Sequence, residues 1–320
     1  MMQSRIVSQV EQCLRSLPKW NFLQPGSRLR VRTNEVFKGV KFISQQVDTI
    51  LPNAKMQPPR IVYEHMWKTV YEASTLRPFT RREIKSIMKS TLIALQEIER
   101  RGFVHPALTP FHLLLPIEKL DPSMPAEFFA KIAHADAFLL KPSQVYRTAL
   151  RYPDSYDAPE MLFGKRVSFP AHIWSWAVIL CHLLEGRASW MSDKPESVYI
   201  GGMLQTRIDL HSWFEGIHNV LLIEVVRDFN IEQCDYYSDC HIPKVPDCLM
   251  DENGWKEHLR KKGMWDDDIC FLDWLLDPNP ETRPTSMQIL ESGYLEWNEE
   301  DVEDESQTCA STEDDNAHTQ

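Results

Sequence analysis

Glycine is scarce in this chain, 11 of 320 residues, about half the usual share of ~7%. Ahead of Gly102 only Gly26 and Gly39 occur. That excludes a glycine-rich loop that cradles phosphates with its backbone N–H groups. Positive charge is also short, with 35 Lys and Arg against 46 Asp and Glu and a net charge of −11. Phosphate binding wants the opposite balance, so nucleic acid is excluded as the main partner. Long apolar runs are missing too. The longest, 173–184, is interrupted by Ser175 and His182 and is too short to span a bilayer. Met1 to Arg15 hold no apolar core of the kind a signal peptide needs. Neither a membrane partner nor a secretory route is expected. The 7 cysteines are odd in number and scattered, which fits a reducing compartment, cytoplasmic or nuclear.

What is present is an ordinary globular complement, 43% apolar residues, enough for a sizeable core. The charge is concentrated at one end. From Glu296 to Gln320 there are ten acidic residues and no Lys or Arg, so this stretch reads as a disordered acidic tail and the remainder is nearly neutral. Ser311 and Thr312 precede Glu313 and Asp314 there, a context that acid-directed kinases favour.

Helical periodicity marks 4–17, with Glu11 on it, and strand-like runs fall at 40–43 and 60–64. The clearest helix opens at Thr80, which forms a capping box with Glu83. It carries Ile84, Ile87, Met88, Thr91, Leu92, Leu95 and Ile98 on one face and ends at Arg101–Gly102. Arg81, Arg82, Lys85 and Lys89 read as its solvated face. Short strands are expected at 103–104, 113–115 and 130–133. A helix from Pro170 to a stop at Gly186 is apolar nearly all round, so it belongs at the centre of a helical body. Further helices are expected near 212–229, 254–262 and 266–277. A last one, boxed by Thr285 and Gln288, ends at Gly293.

Four stretches in order then carry a resemblance: VHPALTPFHLLL at 104–115, YDAPE at 156–160, AHIWSWA at 171–177 and LLDPNPETRPT at 275–285. Together they resemble the large lobe of eukaryotic protein kinases, whose catalytic loop, A-P-E, D-x-W-S and late R-P-T motifs follow in that order. The resemblance implies an α+β, protein-kinase-like fold. Residues 1–66 would form a reduced strand-bearing small lobe and hinge, 67–295 a mainly helical large lobe, and 296–320 the acidic tail. It also implies a structural set: His105 under the catalytic loop, Glu160 paired with Arg283, and Trp174 with Ser175 on the buried helix.

The chemical set departs from the family. The catalytic aspartate position is Ala107, the phosphate-steadying lysine position is Thr109, and the magnesium-binding asparagine position is His112. The aspartate of the metal-binding D-F-G falls on His134, leaving Asp136, two residues on, as a weak candidate for cofactor binding. The buried-helix aspartate is His172, and the loop residue it would face is Pro106, which has no N–H. Donor and acceptor are lost together, so neither is expected to be left buried and unpaired. In the small lobe, 61–66 resembles the strand and hinge against which adenine rests, but no lysine precedes Glu11.

Other clusters read blandly. Cys234, Cys240, His241 and Cys248 match no common zinc spacing. His112 with His134 reads as space-filling rather than as a metal pair. Trp190, Trp213, Trp255 and Trp265 read as packing. Two functions remain open at this point. One is a catalytically inactive pseudokinase that acts as a scaffold or allosteric partner, contacting another protein through the surface around 147–166 or the tail, with no cofactor assigned. The other is an active atypical protein Ser/Thr kinase, with ATP and magnesium as cofactors and Asp136 as the metal ligand.

Overall fold

The structure, a computed structural model, describes residues 37–50, 60–116, 128–133, 142, 155–191, 217–246 and 254–297. The readings placed on 4–17, His134, Asp136, 147–154, Trp213, Cys248, Ser311 and Thr312 lie outside these residues. Elements run in the order β1 (Gln46–Ile50), β2 (Arg60–Tyr63), β3 (Lys68–Thr69), α1 (Val70–Ser74), α2 (Arg81–Arg100), β4 (Leu113–Leu115), β5 (Lys131–Ile132), α3 (Pro159–Leu162), α4 (Phe169–Met191), α5 (Ile217–Phe229), α6 (Gly254–Lys261), α7 (Asp266–Leu275) and α8 (Ser286–Glu291). Strand-bearing segments come first and helices dominate after them, an α+β arrangement.

β1 and β2 form an antiparallel pair with a register shift between Gln46 and Asp48. β3, β4 and β5 form a second, antiparallel sheet in that order. The run 40–43 is not a strand. Lys41 and Phe42 lie in a turn, and Ile43 makes a single parallel bridge to Ile132. The side chain of Gln45 organises this turn. Its amide donates to the carbonyls of Phe37, Val40 and Ile43 at 3.2, 3.1 and 2.7 Å and its oxygen accepts from Gly39 N–H at 2.8 Å. A backbone satisfied by one local side chain has no need of a ladder partner. Glu64 ties the two sheets together, accepting from the Gln45 N–H at 2.8 Å and pairing with Lys131 at 2.7 Å.

α2 forms where the sequence signals place it. Thr80 accepts from Glu83 N–H, and the Glu83 carboxylate accepts from Thr80 N–H at 2.9 Å, a full capping box. At the far end Gly102 has φ 75°, and Gly102 and Phe103 N–H donate to the Glu99 and Ile98 carbonyls at 2.7 and 3.1 Å. This is the left-handed ending that glycine permits without steric cost. The seven expected face residues are all buried.

Of the basic residues of α2, Arg82 is exposed, but Arg81 and Lys85 are not on a solvated face. Arg81 is 8% exposed and holds Asp268 of α7 through two bonds of 2.6 Å. Lys85 is 5% exposed and donates to the Glu296 carbonyl at 3.1 Å. Long side chains of this type bury their stems while the head finds a partner. Here the partners come from the far end of the chain.

α4 is the central element. Every residue from Ala171 to Cys181 is buried, which only an all-round apolar helix tolerates. Trp176 Nε1 donates to the Met88 carbonyl at 3.0 Å and pins α4 to α2. The helix does not stop at Gly186 but continues to Met191. Mid-helix glycine costs only about 1 kcal/mol, and the packed flanks of this helix override it. The last capping box, Thr285 with Gln288, is present, and Gly293 ends that segment at φ 78°. No helix among the described residues is long and apolar enough to cross a membrane.

Candidate functional site

The loop from Val104 to His112 connects the end of α2 to β4 and is nearly closed to solvent. Val104, His105, Leu108 and Pro110 are buried, Ala107 is 4% exposed and Thr109 is 5% exposed. Two prolines shape it. Pro110 sits at the first position of a 3-10 turn, Pro110–His112, where its fixed φ suits the turn and its missing N–H costs nothing. His112 N–H donates to the Thr109 carbonyl at 2.9 Å, and Thr109 Oγ1 lies 3.0 Å from His112 Nδ1. The His112 carbonyl accepts from Ala133 N–H at 2.7 Å, anchoring the loop on β5. His105 meets His112 edge to face at 5.8 Å.

The three positions matched to catalytic residues are therefore in one place, but two of them bond to each other and the third is a methyl group. A magnesium ion takes hard oxygen ligands. Ala107 offers no side-chain oxygen, and His112 offers an imidazole nitrogen, which suits softer metals, already within hydrogen-bonding distance of Thr109. These loop residues do not fit magnesium. No cluster of metal-ligating side chains occurs among the described residues.

His172 corrects one expectation. It is fully buried, and neither ring nitrogen has a hydrogen-bond partner among the described residues. Pro106 removes a donor, yet an imidazole still brings two polar atoms of its own. Burial holds the ring neutral, pushing its pKa down to about 3. The Phe169 ring lies 6.4 Å away between centroids.

One loop residue faces outward. Phe111 is 53% exposed and lies 4.2 Å, ring to ring, from Tyr71 of α1. Single exposed aromatics are unremarkable in a sequence, and nothing in the spacing of Tyr71 and Phe111 shows that they meet.

A second constellation surrounds Arg283. Its guanidinium binds the Glu160 carboxylate through bonds of 2.9 and 3.0 Å, with both side chains at 0% exposure. It also donates to the carbonyls of Pro170 at 2.7 Å and Asp277 at 2.9 Å. Its flat face lies 5.1 Å from the Trp174 ring, a cation–π geometry. Glu160 stands on α3, opened by Pro159. So α3, α4 and the segment before α8 are joined at one buried charge pair. Close by, Ser175 Oγ donates to the Tyr156 carbonyl and the Tyr156 hydroxyl meets His182 Nδ1, both at 2.7 Å. Burial, aided by Lys262, lowers the His182 pKa to about 4, so this imidazole is neutral.

A cleft of about 340 Å³ lies elsewhere, between Phe229, Trp255 and Trp274. None of its lining residues belongs to the 104–112 loop. Trp255 is buried, whereas Trp265 is 43% exposed and covers Arg81 at 4.4 Å.

The sequence that carries these arrangements is similar to known proteins. The family model described as Protein kinase domain matches residues 40–295. A stretch of 124 residues, 39% of this chain, is 25% identical to the serine/threonine-protein kinase shk1/pak1 of Schizosaccharomyces pombe and spans 18% of that protein's length. The matched residues run from the Gln45 turn to the end of the α8 segment and take in both the 104–112 loop and the Glu160–Arg283 pair. By that match, over most of its length, the chain belongs to the protein kinase domain family.

Proposed function

We propose that this chain is a pseudokinase, a kinase-family domain that works by binding another protein as a scaffold or allosteric partner. The observation that carries the reading is the 104–112 loop. Phosphoryl transfer rests on positioning and on charge stabilisation by a base, a lysine and metal-holding residues. Here those positions carry Ala107, Thr109 and His112, and Thr109 Oγ1 and His112 Nδ1 lie 3.0 Å apart. The loop has traded groups that reach outward for bonds that close on themselves. The buried Glu160–Arg283 pair is kept, so the scaffold is supported while the chemistry is not.

Thermal unfolding of the full chain with and without ATP, first with magnesium and then with EDTA, tests this. A one-site ligand at about 100 times its Kd adds about 2.7 kcal/mol, a shift that is easily read. The expected result is one cooperative transition, unmoved by nucleotide, and no phosphotransfer above background. A magnesium-dependent shift, with phosphorylation that Asp136→Ala abolishes, would replace this reading with that of an active atypical protein Ser/Thr kinase.

A further inference from the structure

The cleft of about 340 Å³ is built where three helices meet. α5 and α7 end at it and α6 begins there. Helix C-termini carry partial negative charge and N-termini partial positive charge, so two ends of the first kind against one of the second leave a negative balance. The apolar wall is Phe229, Trp255 and Trp274. Phe229 and Trp255 are buried with centroids 5.9 Å apart, while Trp274 is 41% exposed and open to a ligand. Asp273, Asp277 and Lys256 supply the polar rim. A further carboxylate, Asp228, is already held by Arg227 through bonds of 2.7 and 2.8 Å.

The rim charges are unevenly satisfied. Asp277 accepts from Asn279 N–H at 2.9 Å and from the Thr282 hydroxyl at 2.7 Å. Both donors are neutral, and among the described residues no cation bonds this carboxylate. Each of its oxygens keeps a lone pair. Asp273 pairs with Lys256 at 2.5 Å, the two side chains 51% and 41% exposed, and an exposed pair of this kind contributes little and exchanges partners readily. The same Lys256 ammonium lies 5.6 Å from the Trp255 ring. The cleft thus holds one cation of its own chain between an indole and a carboxylate. A second indole, Trp274, and a second carboxylate, Asp277, line it with no cation on either among the described residues.

We propose that this cleft binds an arginine side chain presented by a segment of a partner protein, with the guanidinium against Trp274 and the Asp277 carboxylate as its ion-pair partner. A guanidinium suits the place better than an ammonium. It is flat, stacks on an aromatic face, offers paired N–H donors to a carboxylate and is more weakly hydrated. The volume is at the small end for ligand pockets, which suits one long side chain rather than a cofactor. Free arginine fits less well, because its own carboxylate enters a site lined by three carboxylates and one cation. The inference uses no residue of the 104–112 loop, so it holds whether or not the chain transfers phosphate.

The test uses the full chain with isotope-labelled indoles, whose N–H signals in NMR spectra are assigned with Trp255→Phe and Trp274→Phe. The probe is the blocked tripeptide acetyl-Gly-Arg-Gly-amide. The Trp274 signal should shift saturably with it, and the shift should shrink in about 0.5 M salt. The matching citrulline peptide keeps the shape and loses the charge, and it should bind about tenfold more weakly. The lysine peptide and free L-arginine should each bind severalfold more weakly. Lys256→Gln removes the resident cation and should tighten the arginine peptide about threefold, a gain that a merely structural lysine does not produce. The buried Trp174 and Trp176 signals report that each variant is folded. No saturable shift at Trp274, an equal response to the citrulline peptide, the lysine peptide or free arginine, or a Lys256→Gln chain that binds no tighter would each overturn the proposal.

Discussion

At position 160 a carboxylate with no exposed surface meets a guanidinium with none. The value of such a pair is seen when one half is removed. Glu160→Ala leaves Arg283 buried and charged with only backbone carbonyls as partners and should cost about 3–5 kcal/mol in urea unfolding, with Arg283→Ala similar. The double variant should cost well under the sum, because the second change removes a charge already stranded. Strict additivity would mean that the two groups act separately. Histidine gives the residue-scale pH response. His172 and His182 are held neutral in the fold, at about 3 and about 4, while the unfolded chain takes up protons below about 6.5. The unfolded state therefore binds more protons as pH falls through that window. Stability is lost from about 6.5 downward by up to about 1.4 kcal/mol per pH unit for each group. Denaturant midpoints at pH 7 and pH 5 should converge in His172→Leu relative to the parent chain. An unchanged difference would remove His172 from the account.

The helices were legible because their signals are local. Thr80 with Glu83 and Thr285 with Gln288 announce their helices in sequence and cap them in the structure. Thr80→Ala should accordingly cost about 1 kcal/mol in thermal or chemical unfolding, and no loss would make the box decorative. What local pattern could not give was anything decided at a distance. Arg81 and Lys85 look solvated until Asp268 and Glu296 arrive from the other end of the chain. Gly186 looks like a stop until the flanks of α4 are packed. The strand at 46–50 was missed because Gln46 and Asp48 break its apolar pattern, while 40–43, more apolar, is held as a turn by Gln45. The loop residues 105–112 were legible only through the order of motifs around them. The Phe111–Tyr71 contact and the unpaired His172 were not legible at all, since each depends on which surfaces meet. Between elements, Trp176→Phe should cost about 1–3 kcal/mol in chemical unfolding, because it removes the bond to the Met88 carbonyl and leaves a void where α4 packs on α2.

At the scale of the molecule, the C-terminal segment acts as a closing seam. Tyr294 joins α7 through Phe271 and Asp268, Asp268 joins α2 through Arg81, and Ser286 bonds Glu99 on the same helix at 3.1 Å. Tyr294→Phe keeps the stacked ring and removes one bond to a charged acceptor, so a loss of about 1.5–3 kcal/mol is expected, read as a lower denaturant midpoint with an unchanged slope.

That seam has a consequence for biosynthesis. Lys85 and the Glu296 carbonyl that it contacts are 211 residues apart. At a ribosomal rate of about 5–20 residues per second, that separation is roughly 10–40 s of translation. Throughout that interval the Lys85 amine lacks the carbonyl it contacts in the fold, although α4 becomes available to the apolar face of α2 well before. The nascent chain therefore completes this helix's surroundings only once residue 296 has been made.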